Sequence, residues 1–174
     1  MRKRTRLLII RWVTFALMII IINILQNTQG FFPEIFGVRA FLLIPATVCI
    51  GMFERKYAGA FFGLFAGALW DTVTPLGDGY NAFVLMLFGA VCGLLITVLM
   101  RNHLLTALIL SFGASVLYAL LYVIFFIVAQ GMEDSAYLFF RYYLTGAVYT
   151  ALFTPVFYIF VMGVVRATTV EEKY

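Results

Sequence analysis

Asp71 closes the stretch "GAFFGLFAGALWD", which carries no other charge from Gly59 onward. A carboxylate at the end of an apolar helix is costly in lipid and ordinarily has a partner or a task. Counted from Tyr57 at 1.5 Å per residue, Asp71 lies about 21 Å along its helix, just inside a hydrocarbon core about 30 Å thick. Two readings follow. The carboxylate is an interfacial cap on the loop "TVTPLGDG", or it faces inward in an outward-open cavity and needs a cation there. Arg39 and Arg141 are the candidate cations, with Arg141 the better placed. Asn23, Gln26 and Asn27 share one face at the end of the first apolar segment, and amides in lipid seek hydrogen bonds between helices. The outward polar cavity of the second reading therefore comprises Asp71, Arg141, Arg39, Asn23, Gln26 and Asn27.

Other chemistry is not indicated. The sequence has no paired carboxylates at catalytic spacing, no Ser or Cys nucleophile beside a base, no HExxH and no phosphate-cradling glycine loop. His103 stands alone beside Arg101. Cys49 and Cys92 lie within apolar runs without a second ligand at metal spacing, and read as inert buried thiols. No enzymatic activity, metal or cofactor is expected.

The elements that position these residues are set by composition. Of 174 residues 64% are hydrophobic and 11% charged, with a mean hydropathy of +1.04, more apolar surface than a soluble domain of this length can bury. The net charge of +4 does not point to nucleic acid, because the cations flank apolar runs. Polar breaks divide the chain into six apolar segments, at roughly 12–30, 38–53, 57–71, 80–100, 104–130 and 137–165. The second and third are short and meet at "ERK" (54–56), as two spans with a tight turn or as one re-entrant hairpin. The basic head and long apolar body of the N-terminus, with no small-residue cleavage site, read as an uncleaved first span. Threading six spans puts ten basic residues on one side (Arg2, Lys3, Arg4, Arg6, Arg11, Arg55, Lys56, Arg101, Arg166 and Lys173) and two, Arg39 and Arg141, on the other. That bias places both termini in the cytoplasm. Trp12 and Tyr57 fit a cytoplasmic aromatic belt, and Trp70 and Tyr80 an outer one. Pro45 and Pro155 are expected to kink the second and sixth spans.

Gly59, Gly63 and Gly67 recur every four residues and form a smooth helical stripe, and Gly89 and Gly93 offer a matching notch on the fourth segment. The stripe serves internal packing or a groove for another protein's span. Asp71 lies on its face, one turn beyond Gly67.

The succession "LQNT", "GLFAGALWD", "PLG", "NAF" and "GAVCG" resembles the rod shape-determining protein MreD family, with the match falling on Gly63, Gly67, Asp71, Leu76, Gly77 and Ala82. The layout extends over nearly the whole chain, while the motif occupies about 59–93. Ala68 stands where the family usually has Leu, and "GDGY" lengthens the outer loop. The resemblance implies a non-catalytic subunit of the bacterial cell-elongation machinery in the inner membrane. It would bind a single-span MreC-like partner and, through it, associate with MreB, RodA and a penicillin-binding transpeptidase. It also implies six transmembrane helices in a fold similar to the substrate-binding component of energy-coupling-factor transporters. A vitamin-binding transport subunit is the alternative function. Against it, the first segment carries only Ala16 as a small residue where those proteins have a small-xxx-small contact face.

Overall fold

A helix that is apolar on every side must be surrounded by others. The run "LIPATVCIGM" has no polar stripe, and every residue from Leu43 to Met52 is buried. The computed structural model describes residues 3–28, 30, 38, 40–74, 79–128 and 139–169, and among these the chain is helical with no sheet. The elements are α1 (Lys3–Asn27), α2 (Leu43–Asp71), α3 (Tyr80–Val98), α4 (Leu104–Tyr122) and α5 (Leu144–Thr168). A π-helical turn at Val123–Val128 continues α4, and another at Phe139–Tyr143 leads into α5.

Among the described residues, four stretches are long and apolar enough to cross a membrane: Arg4–Asn27, Tyr80–Val98, Leu104–Phe126 and Phe140–Thr168. With the composition, they make this an all-helical membrane protein. They fall on the expected first, fourth, fifth and sixth segments. α1 starts earlier than the apolar run at 12, because the basic head is itself helical.

The second and third segments are both helical and lie within α2, which is broken at Arg55 (φ 68°, ψ −177°). The break reverses the chain. Residues eight apart in a straight helix are separated by about 12 Å, yet a Cβ on Gly59 would lie 2.8 Å from the Gly51 Cα. The two halves, 43–54 and 56–71, therefore fold back on each other. Pro45 does not kink its helix: it sits in the first turn of α2, where a missing N–H leaves no bond unmade. Pro155 lies inside α5.

α3 runs antiparallel to the second half of α2, and their backbones nearly touch. A Cβ at Gly67 would fall on the backbone of Asn81 and Ala82, one at Gly63 on Leu85, and one at Gly59 on Gly89. A Cβ at Gly93 would lie 2.5 Å from backbone atoms of Arg55 and Lys56. α1 packs on α2 and α5, while α4 packs chiefly on α5. α3 and α4 scarcely meet, which leaves a lateral apolar groove of about 340 Å³ between them.

One end of the bundle is basic. The α1 N-terminus, the Arg55 turn and the α5 C-terminus are tied together there by Arg11. Its guanidinium pairs with Glu54 Oε1 at 2.8 Å, donates to Thr168 Oγ1 at 2.7 Å, and reaches Thr169 Oγ1 at 3.1 Å. The α3–α4 connection joins the same end, where Asn102 donates to the Met52 carbonyl and Tyr158 donates to the Asn102 carbonyl. Arg4, Arg6, Arg55, Lys56, Arg101 and Arg166 are exposed around it.

Candidate functional site

Helices α2 and α3 begin at the opposite end, and neither supplies its own side-chain cap. The first N–H groups of a helix have no intrahelical acceptor, and leaving them bare in an apolar setting is costly. Two side chains from other segments satisfy such groups here, and a third takes an N–H just ahead of α2. Gln26 of α1 accepts from Leu43 N at 3.1 Å, and Thr150 of α5 accepts from Phe41 N at 2.8 Å. Asp71, at the end of α2, takes both of its hydrogen bonds at the start of α3: Asn81 N donates to Oδ1 at 3.2 Å and Ala82 N to Oδ2 at 2.9 Å. The carboxylate thus faces the positive end of the α3 dipole, a favourable place for an anion.

Asp71 is brought there by the glycine stripe. Because Gly67 lets α3 approach at Asn81 and Ala82, the side chain one turn later meets the two N–H groups that open α3. Gly63, Gly59, Gly89 and Gly93 continue the same contact. All five glycines of the sequence pattern lie against backbone within the protein.

Of the two expected cations, Arg141 is not paired with the carboxylate. Arg141 is exposed on the π-helical turn before α5, and Arg11–Glu54 is the ion pair found among the described residues. Arg39 lies outside the described residues, as do Glu34, Leu76, Gly77, Glu133 and Asp134. Of the amides, Asn23 is buried and accepts at its carbonyl and Oδ1 from Asn27 Nδ2, at 2.8 and 3.0 Å. This is a bond within one helix, so Gln26 is the amide that joins two helices.

The capping layer continues into a cluster of rings. Tyr118 Oη donates to Asn81 Oδ1 at 2.6 Å, and Tyr80 Oη donates to the Tyr118 carbonyl at 3.2 Å. Trp70 is buried within the protein, stacked on Tyr118 with centroids 5.3 Å apart. Phe41 and Tyr122 also pack on Tyr118, and Tyr122 meets Tyr143 and Phe126 from the two π-helical turns. π-Turns are rare and are frequently found at functional sites. Here two converge on one aromatic cluster.

Sequence reasoning missed three of these features. Tyr118 was visible as part of a stripe, Ser111, Ser115, Tyr118 and Tyr122, at helical spacing on α4. Arg11 stood inside an apolar run, a sign that it needed a partner. The backbone strain at Arg55 left no signal. Chemically, the layer can hold helix ends and stack flat groups. Among the described residues no three His, Cys, Asp or Glu side chains come together to hold a metal. No family model, curated relative or solved structure matches the chain.

Proposed function

We propose that this chain is a non-catalytic membrane subunit of the bacterial cell-elongation machinery, of the MreD type, with six membrane crossings and both termini in the cytoplasm. The two halves of α2 are the second and third crossings in this reading, and the basic end faces the cytoplasm. One observation carries the reading. The described residues on which the resemblance rests, Gly63, Gly67, Asp71 and Ala82, all brace α2 against α3, and both carboxylate oxygens of Asp71 accept backbone hydrogen bonds. A motif that locks a scaffold suits an assembly subunit better than a catalyst.

The partner in this proposal is a single-span MreC-like protein. Isolation from native membranes in mild detergent, followed by mass spectrometry of bound proteins and small molecules, tests it. The expected result is co-purification of that partner, with rounding of rod-shaped cells on depletion. Recovery of an ATPase transport module and a bound vitamin, with normal rods after depletion, would instead establish the transport subunit.

A further inference from the structure

Arg55 has a backbone conformation open essentially to glycine alone, and a side chain held there is strained. Glycine would make the same turn without strain, so the reason for arginine lies in its side chain. That side chain is exposed, next to Lys56, whose Nζ stands 4.9 Å above the ring of the exposed Tyr57.

Beside this turn is a lateral groove of about 690 Å³ between the start of α1 and the second half of α2. Its walls are Leu8, Ile9, Trp12, Ala58 and Phe61, with Trp12 stacked on Phe61 at 5.6 Å between centroids. Its volume is within the range of about 300–1,000 Å³ usual for ligand sites. Tyr57 and Thr5 lie at its basic end, flanked by the exposed cations Arg4, Arg6, Arg55 and Lys56. Glu54, the acid that lines the groove, is already paired with Arg11, so the rim keeps an excess of positive charge.

An apolar trough ending in a cationic rim, on a helix that crosses a membrane, matches one class of molecule in shape and charge. We propose that this groove binds an anionic diacyl phospholipid, with an acyl chain along Trp12 and Phe61 and the phosphodiester at Arg55 and Lys56. Clustered basic residues beside a membrane span attract anionic headgroups. The glycine-only backbone at Arg55 is the conformational cost of aiming a guanidinium at that headgroup. The inference does not depend on the function proposed above.

The test uses the full chain, delipidated in a neutral detergent and titrated with phosphatidylglycerol or phosphatidylcholine under native mass spectrometry. Phosphatidylglycerol is expected to bind on the order of tenfold more tightly, the effect of two basic residues at an anionic surface. The double variant Arg55→Gln/Lys56→Gln should abolish that preference. Arg101→Gln/Arg166→Gln, which removes the same charge from the same end, should preserve it. Arg55→Gly should weaken phosphatidylglycerol binding while holding or raising the melting temperature, a pairing that damage to the fold would not produce. Ala58→Trp, which fills the trough, should weaken both lipids. Equal loss in the two double variants would reduce the effect to general charge and overturn the proposal. So would competition by free glycerol phosphate at millimolar concentration, which would make the occupant a soluble phosphate. Loss of a co-purifying protein in Arg55→Gln/Lys56→Gln with lipid preference unchanged would mark a protein-docking face, and would also overturn it.

Discussion

Removing the Asp71 carboxylate leaves the N–H groups of Asn81 and Ala82 without acceptors at the start of α3. Asp71→Ala is therefore expected to cost about 1–2 kcal/mol, the usual loss on deleting a helix cap. Asp71→Asn should cost about half as much, since an amide offers one acceptor oxygen in place of two and carries no charge for the helix dipole. Thermal unfolding in micelles at matched protein level measures both. The same geometry predicts no coupling to Arg141. In a double-mutant cycle, Asp71→Ala and Arg141→Gln should add within about 0.5 kcal/mol, and exchanging the two charges should rescue nothing. Arg11 is the cation whose loss matters. It and Glu54 are only 12% and 10% exposed, so Arg11→Ala strands a nearly buried carboxylate at a cost of about 3 kcal/mol. Arg11→Leu with Glu54→Leu should recover most of that loss.

Where two helices meet through glycine, their separation is set by backbone atoms, and any side chain acts as a wedge. Gly63→Ala and Gly67→Ala place a methyl on the α3 backbone, and each is expected to destabilise by about 1–3 kcal/mol. Gly113→Ala and Gly163→Ala are the controls: a methyl there meets nothing within 4 Å, so both should be neutral or gain about 0.5–1 kcal/mol of helix stability. Comparing the four melting temperatures checks the contact directly. The glycine stripe was readable in advance because spacing alone places Gly59, Gly63 and Gly67 on one face. Its partner was less readable: Gly89 and Gly93 fit, but Asn81, Ala82 and Leu85 contribute backbone, which has no residue signature. The carboxylate illustrates the same limit. Its place on the face of the stripe followed from spacing, whereas its donors are N–H groups common to all helices, and reasoning from charge pointed to arginines, of which Arg141 is not bonded to it.

Across the whole molecule, the links from Arg11, Asn102 and Tyr158 put the α1 start, the Arg55 turn, the α3–α4 connection and the α5 end together. Single cysteines at Lys56 and Arg101 should therefore be labelled by an impermeant reagent from one side of the membrane, and one at Gly79 from the other. Labelling of Lys56 and Gly79 from the same side would contradict the arrangement. The native thiols Cys49 and Cys92 are buried and should react only after unfolding. Length and hydropathy reveal the four long helices, and the charged run "ERK" marked the turn that divides 43–71, which the structure places at Arg55. The break at Arg55 also bears on how the protein is made. Its two halves extend only about 18 and 24 Å at 1.5 Å per residue, each shorter than a bilayer core of about 30 Å. Neither half has the length to partition into lipid alone as it leaves the ribosome. If the two halves cross the membrane as proposed, the hairpin is expected to enter as a unit, with α3 closing over its glycines. A chain arrested before Tyr80 is therefore expected to insert less completely than one that includes α3, which a membrane-extraction assay on truncated chains measures.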